Sequence, residues 1–125
     1  MKRRVAFGLG AMALLCTGSP PAMAQNALPS YQADPSIYKV IFEDKYFRVI
    51  AATWKKGERD TAHSHLRPSI VYSLTDCKIR LYAPDGKTRD VVNKAGTAQA
   101  VPITKAHSAE NIGPDECRVV FVERK

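Results

Sequence analysis

Short segments of β type follow one another from residue 38 to residue 123, and this succession restricts the chain to one class of fold. The segments are rich in β-branched and aromatic residues or alternate between polar and apolar positions, as strands do. Gly, Pro and Asp separate them, with a strong hairpin signal at Pro84-Asp85-Gly86. The pattern predicts strands over residues 38–42, 46–54, 69–74, 78–82, 88–92, 98–101, 106–112 and 117–123. No helical stripe competes with it, so we expect one all-β domain over residues 38–125, built as a sandwich or a barrel.

The first 24 residues have the composition of a secretory signal peptide. A basic start precedes an apolar run over residues 5–16, and the small-x-small sequence Ala22-Met23-Ala24 follows. The apolar run is shorter than the roughly 20 residues that a membrane-spanning helix needs. We therefore expect cleavage after Ala24 and a periplasmic or secreted protein without membrane contact. The alternatives are an uncleaved anchor and a lipoprotein attached through Cys16, although Leu15 is larger than the residue that lipoprotein cleavage requires.

Residues 25–37 differ from both of their neighbours. The segment contains Pro29, Ser30 and Pro35 and has no periodic apolar pattern. Such a composition is typical of a connecting segment. We expect a linker or a mobile N-terminal arm here.

The charge balance argues against a nucleic-acid partner. The chain has 19 Lys and Arg residues and 12 Asp and Glu residues. Removing Lys2, Arg3 and Arg4 with the leader leaves 16 against 12, a net charge of +4. The remaining basic residues are scattered along the chain rather than clustered, so no basic surface for nucleic acid is indicated.

Two cysteines remain after the expected cleavage, Cys77 and Cys117. An even number of cysteines in an oxidising compartment permits a disulfide. Two buried free thiols are the other interpretation, and the spacing of the residues does not decide between them.

The three histidines of the chain are the candidate ligands of a metal ion. His63 and His65 are two positions apart, and alternate residues of a strand project from the same face. His107 lies at the start of a later predicted strand, and a barrel could bring it across to the pair. The spacing alone also allows histidines on an exposed strand.

The residues around the histidines resemble the two motifs of the cupin family. Gly57 followed after five residues by His63-Ser64-His65 is similar to the start of the first motif. Gly96, five residues, Pro102, His107 and then Asn111 are similar to the second motif. The resemblance covers residues 38–125. It implies a jelly-roll β-barrel in which the three histidines point into the mouth and hold one divalent metal ion.

The chain departs from the family pattern at three positions. The first motif usually supplies a glutamate ligand after four further residues, and this position is Ile70. Cys77 and Thr104 stand where glycines are usual. Either three imidazoles bind the metal, or the site has lost it, and we expect the first.

Zinc, iron, copper, nickel and manganese all accept imidazole ligands, so the sequence leaves the identity of the metal open.

The resemblance also implies roles for residues around the mouth of the barrel. Arg67 and Lys105 flank the histidines and are candidates for substrate binding, although solvated charges in loops are the simpler interpretation. Tyr72 shares the strand phase of Ile70 and Leu74, so we expect it to line the interior, in the core or against a substrate. No catalytic residue is assigned.

The jelly roll implies a pairing for the cysteines and the possibility of a homodimer. Cys77 would end the strand that begins near Ser69, and Cys117 would begin the last strand. These two strands lie side by side in a jelly roll, so we expect a disulfide. Small barrels of this family also commonly pair through their sheets.

Two hypotheses on function follow from the resemblance. The first is a metal-dependent enzyme that acts on a small anionic or oxygen-chelating molecule, with dioxygenase-like, isomerase and hydrolase reactions all open. The second is a non-catalytic exported module that binds a metal or a small ligand. Other templates fit poorly, because the sequence has no phosphate-binding glycine-rich loop and no Cys-x-x-Cys pair.

Overall fold

The structure, a computed structural model, describes residues 26–125, and the expected signal peptide lies outside these residues. Within residues 26–125, one short helix, α1 (Ser30–Ala33), precedes nine strands. The strands are β1 (Tyr38–Glu43), β2 (Phe47–Trp54), β3 (His63–His65), β4 (Ser69–Ser73), β5 (Cys77–Tyr82), β6 (Thr88–Asn93), β7 (Ala98–Val101), β8 (Thr104–Asn111) and β9 (Cys117–Arg124). No helix among residues 26–125 has the length and apolar character of a membrane-spanning helix.

The strands form two antiparallel sheets that enclose the core. One sheet has the order β1-β2-β9-β4-β7 and the other β3-β8-β5-β6. The predicted hairpin is present, since β5 pairs with β6 from Cys77–Asn93 to Tyr82–Thr88. Apolar residues at alternate positions point inward from both sheets, as in a jelly-roll barrel. The buried apolar core consists of Ile37, Tyr38, Ile50, Ala52, Trp54, Val71, Cys77, Ile79, Ala109, Cys117, Val119 and Phe121.

The segment before β1 is docked on the barrel, and the expectation of a linker or mobile arm is wrong for residues 26–37. The backbone N–H of Ala27 donates to the carbonyl of Lys105 at 3.0 Å, and the carbonyl of Leu28 accepts from Ser64 N–H at 2.8 Å. Asp34 accepts from the backbone N–H of Thr61 at 3.0 Å. Main-chain groups of Ala27 and Leu28 therefore bind β8 and β3, and the side chain of Asp34 binds the backbone two residues before β3.

Cys77 and Cys117 form a disulfide, with their Cα atoms 5.1 Å apart. The expected pair is confirmed, but its place differs from the expectation. β4 does pair with β9, yet Cys77 begins β5, in the four-stranded sheet, instead of ending β4. Because Cys117 belongs to the five-stranded sheet, the bond links the two sheets.

Loss of this inter-sheet bond should destabilise the domain. The bond closes a loop with a sequence separation of 40 residues, which corresponds to about 3–4 kcal/mol in the chain-entropy description. We expect the C77A/C117A double variant to lose about this free energy of unfolding in urea. Reductant should lower the stability of the wild type and leave that of the double variant unchanged. Equal stability of the two proteins without reductant would contradict the assigned role.

Candidate metal centre

Strands β3 and β8 bring all three histidines to one point. The two strands are antiparallel neighbours, and His63 lies directly opposite His107 in their register. His65, two residues further along β3, projects from the same face. The Nε2 atom of His63 lies 3.2 Å from Nε2 of His65 and 3.1 Å from Nε2 of His107. The sequence-predicted ligands are thus together, on the interior side of the sheet.

The tautomer of His63 leaves its Nε2 lone pair facing the other two rings. Nδ1 of His63 lies 2.9 Å from the carbonyl oxygen of Thr61, and a carbonyl accepts only, so Nδ1 carries the proton. In a neutral imidazole the other nitrogen is then an acceptor. Three ring nitrogens that converge at this distance need a shared proton or a cation between them.

The surroundings lower the pKa of two of the rings. Burial, followed by the charges of His63 and His107, lowers the pKa of His65 to about 3. Burial, followed by the charges of His63 and Arg89, lowers the pKa of His107 to about 4. Both rings are therefore uncharged at neutral pH, which is the form that binds a metal.

The donor set fits a divalent metal ion. Ligand nitrogens of the three histidines all lie within 4.8 Å of one another. Two nitrogens that are each about 2.0–2.1 Å from one ion are roughly 2.8–3.4 Å apart at bond angles of about 90–109°. The two nitrogen–nitrogen separations around His63 agree with this range. A metal held here would have three protein ligands and open positions for other donors.

A buried carboxylate that the sequence analysis missed lies behind His63. Asp60 is 6% exposed, and its Oδ1 is 3.6 Å from Nδ1 of His63. Oδ2 accepts hydrogen bonds from the Tyr38 hydroxyl at 2.6 Å and from Trp54 Nε1 at 3.2 Å. Oδ1 accepts from the backbone N–H of Ala109 at 2.7 Å. The available signal was an acidic residue three positions before a histidine pair, which is too common to single out Asp60.

Asp60 and Tyr38 change each other's pKa in opposite directions. Burial raises the pKa of Asp60, while His63 and the donors Tyr38, Ala109 and Trp54 oppose the increase. Burial, followed by Asp60, raises the pKa of Tyr38 well above its usual value. The Tyr38 oxygen is also 3.3 Å from Nε2 of His63. Tyr38 therefore stays protonated, donates its hydroxyl hydrogen bond to Asp60 and borders the histidine cluster.

A cavity of about 210 Å³ opens beside the histidines inside the barrel. Its wall is largely apolar, with Val71, Leu81 and Phe121 among its residues, and it includes His65 and His107. Phe121 stacks on the His65 ring, with a centroid distance of 5.5 Å. Four further polar side chains line the cavity, namely Arg89, Asn93, Gln99 and Thr104.

Solved structures similar to this chain share its architecture. A cupin domain from Bordetella pertussis is 19% identical, with a TM-score of 0.65 over 83% of this chain and 99% of that chain. The cupin domain of Cnp3 from Schizosaccharomyces pombe is 18% identical, with a TM-score of 0.54 over 70% and 63% of the two chains. No protein-family model matches the sequence, and no curated protein does.

The chain has the cupin fold. A cupin superfamily protein from Desulfitobacterium hafniense, 10% identical, agrees with a TM-score of 0.51 over 70% of this chain and 75% of that chain. Two motif glycines of this cupin barrel, Gly57 and Gly96, have φ values of 74° and 79°. These left-handed positions favour glycine over other residues, which explains why glycine occupies both of these turn positions.

The motif asparagine has a structural role in this cupin barrel. Asn111 is 1% exposed. Its Nδ2 group donates to the carbonyl of Asp115 at 2.7 Å, and its Oδ1 accepts from the N–H of Gly113 at 3.0 Å. Asn111 thus holds the turn between β8 and β9, outside the histidine cluster.

Ile70, the position where the family's glutamate is expected, faces away from the interior of the barrel. Ile70 is 48% exposed, whereas Val71 and Ser73 on the same strand are buried. The turn over residues 66–68 separates β3 from β4, so that Ser69, Val71 and Ser73 take the inward phase. Strand β4 therefore supplies no carboxylate to the histidines, and the position assigned to the family's glutamate faces outward.

The three expected substrate-binding residues, Arg67, Tyr72 and Lys105, lie outside the cavity, and the expectation that Tyr72 lines the interior is wrong. Tyr72 and Leu74 share the outward phase of Ile70 and are 42% and 46% exposed. Lys105 is exposed on β8, opposite in phase to Thr104 and away from the cavity wall. Arg67 follows β3 in the turn and lies near Glu123, at 4.0 Å. Arg89, which the sequence analysis did not single out, is the cation that lines the cavity.

Replacing Asp60 with asparagine should weaken both the fold and the centre. An amide group offers one acceptor oxygen where the carboxylate has two, so at least one of the three donors loses its partner. We expect D60N to lose about 1–3 kcal/mol of unfolding free energy and to bind metal about tenfold more weakly or worse. Urea unfolding and metal titration with a competing chelator measure the two effects.

A matched control is D90N, because Asp90 pairs with Arg80 on the surface and not in the core. An exposed pair contributes about 0–1 kcal/mol, so D90N should stay close to the wild type in both measurements. If D60N behaved like D90N, Asp60 would not support the centre.

Proposed function

We propose that this protein is an exported cupin that binds one divalent metal ion through His63, His65 and His107 and acts there on a small molecule. The convergence of the three Nε2 atoms beside an interior cavity is the observation that carries the proposal. When bound, the ion supplies a Lewis-acid centre, and a redox centre if it is iron, copper or manganese. Zinc, iron, copper, nickel and manganese are the candidates.

The charge around the centre supports a small anionic or oxygen-chelating substrate. None of the three expected ligands carries a negative charge, and Asp60 lies behind His63, so a divalent ion would keep net positive charge toward the cavity. Arg89 adds a cation to the cavity wall. The volume of about 210 Å³ and the apolar wall favour a compact molecule with a non-polar part. Asn93, Gln99 and Thr104 are positioned to orient its polar groups.

The same cavity supports two versions of the function. Besides the two histidines, the titratable side chains that line it within residues 26–125 are Tyr38 and Arg89. The Tyr38 hydroxyl donates a hydrogen bond to Asp60, so no separate general base faces the cavity. An enzyme of this kind would rely on the metal for activation, with a dioxygenase-like, isomerase or hydrolase reaction. The alternative is a non-catalytic module that holds the metal or a small ligand.

Metal content tests the ligand set directly. We expect purified protein to carry close to one divalent ion per chain by elemental analysis. The H63A/H65A double variant should lose the ion, because it removes two of three ligands. R118Q is the control, since Arg118 is exposed on β9, and it should keep the wild-type content. Unchanged metal in H63A/H65A would show that the ion lies elsewhere.

Turnover of the metal-loaded protein separates the enzyme from the binding module. A panel of small carboxylates, diketones and thiols is assayed with wild-type protein, with chelator-treated protein and with H63A/H65A. Turnover that requires the metal supports the enzyme. Saturable binding without turnover across the panel favours the module.

Export is the second part of the proposal, and the inter-sheet disulfide supports an oxidising compartment. We expect mass spectrometry of the protein from the periplasm or the medium to give a chain that begins at Gln25. An intact Met1 or a lipid on Cys16 would contradict cleavage after Ala24.

Exposed apolar residues of the five-stranded sheet support a homodimer in which two copies of the chain pair through this sheet. Ile70 and Tyr72 on β4 and Phe42 on β1 are all more than 40% exposed on this sheet. In the register, Phe42 lies in one row with Val49, Val122 and Ile70. An apolar row of this kind is typical of a contact surface. We expect no nucleic-acid partner.

A further inference from the structure

Strand β3 is buried on both of its faces, and the second face belongs to no part of the metal centre. His63 and His65 point into the barrel, so Ser64 between them points the opposite way. Ser64 is nevertheless only 3% exposed. The segment before β1 covers it, with a hydrogen bond from Ser64 N–H to the Leu28 carbonyl and a parallel bridge from Pro29. Ser64 therefore lies in a cleft between this segment and the barrel.

The cleft has a volume of about 570 Å³. Part of its wall is apolar or aromatic and is formed by Pro29, Tyr31, Leu66 and Pro68. The rest is polar and includes Ser64. Such a combination of an apolar wall with a few polar groups is typical of sites for small molecules.

Two buried donors in the cleft have no hydrogen-bond partner. In residues 26–125, the buried side-chain nitrogen and oxygen atoms without a partner are Ser64 Oγ and Arg48 Nε. Both residues line this one cleft. A buried polar group without a partner costs free energy, and such groups are rare in folded proteins. Their occurrence together points to an acceptor that residues 26–125 do not supply.

Arg48 is held in place by its other nitrogens. Nη1 donates to Glu123 Oε1 at 2.7 Å, and Nη2 donates to Glu43 Oε1 at 2.9 Å. The guanidinium also lies over the Tyr31 ring, 4.5 Å from its centroid. The side chain is thus fixed before a ligand arrives, with its Nε–H group unused.

The charge of the cleft favours an anion. Arg48, Arg67, Arg124 and Lys125 line it, against one carboxylate, Glu123. Lys125 is paired with Glu43 outside the cleft wall. Arg67 is half-exposed, and its Nε makes only a long contact with Glu123, at 4.0 Å. A guanidinium of this kind binds carboxylates well.

We propose that this cleft is a second binding site, for a small organic carboxylate with an apolar body. Ser64 Oγ and Arg48 Nε donate to the carboxylate, Arg67 supplies a further positive charge, and Tyr31 with the two prolines contacts the apolar body. The site lies on the opposite side of β3 from the histidines. It does not depend on the metal or on the function proposed for it.

Benzoate is the probe that tests this site. Chelator-treated wild-type protein is titrated with benzoate by NMR, and the dissociation constant is read from backbone amide shifts. We expect saturable shifts at Ser64, Leu66 and Tyr31. S64A removes one donor, and it should weaken benzoate binding about tenfold or more, as expected for a hydrogen bond to a charged group. R67Q should weaken binding in the same direction, and R118Q, with an equal charge change on the outer surface, should not.

The design separates loss of binding from loss of folding. Because Ser64 Oγ has no partner in residues 26–125, S64A should unfold at the same urea concentration as the wild type or higher. Absence of saturable benzoate binding would overturn the proposal and leave water as the acceptor. Equal affinity in wild type, S64A and R67Q would overturn it as well. Benzoate-induced shifts confined to Arg89 and His107 would overturn the proposal too, because they would place the ligand in the histidine cavity. Binding of inorganic phosphate or benzyl alcohol as tight as that of benzoate would also overturn it.

Discussion

The buried carboxylate of Asp60 is the interaction on which the rest of the site depends. A carboxylate in a core is tolerated only when donors compensate for its lost hydration. Here the donors come from β1, β2 and β8, through Tyr38, Trp54 and Ala109. Because β1 and β2 belong to one sheet and β8 to the other, the carboxylate joins the two sheets beside the histidines. Its charge lies 3.6 Å from the ring of His63, so the group that fixes the sheets also influences the candidate centre.

The disulfide acts on the same region of the barrel. Cys117 lies opposite Trp54 in the register of β9 and β2, and Trp54 is a donor to Asp60. The two links between the sheets, the disulfide and the hydrogen-bonded Asp60, are therefore both adjacent to Trp54. A domain of about a hundred residues has a modest core and gains much from such links. Both links join the four-stranded sheet, which carries the histidines on β3 and β8, to the five-stranded sheet.

The sequence was informative where structure depends on local pattern and misleading where it depends on turns. Alternation and hairpin residues located eight of the nine strands of residues 26–125, all except β3. The resemblance to the two family motifs located the cluster of His63, His65 and His107 that β3 and β8 assemble. Tyr72 was assigned to the wrong face because the motif was aligned through Ile70, while the turn over residues 66–68 puts Val71 inward. Asp60 could not be found, since two of its three donors, Tyr38 and Ala109, are 22 and 49 residues away in the chain. The segment before β1 binds the barrel mainly through its own main-chain groups, at Ala27 and Leu28. Composition does not report such contacts and therefore cannot distinguish this segment from a linker.

The absence of a carboxylate on the inward face of β4 gives the centre its chemical character. A glutamate ligand would neutralise one of the two charges of a divalent ion directly. In this chain the negative charge nearest to the three nitrogens is Asp60, which is bound to three donors and lies behind a ring. Its effect on an ion would therefore be weaker than that of a ligand, since it acts over a longer distance. Burial already keeps His65 and His107 uncharged at neutral pH, so an ion would not have to displace protons from them. If an ion is bound as proposed, it would favour oxygen donors that bring their own negative charge, because the three histidines supply none.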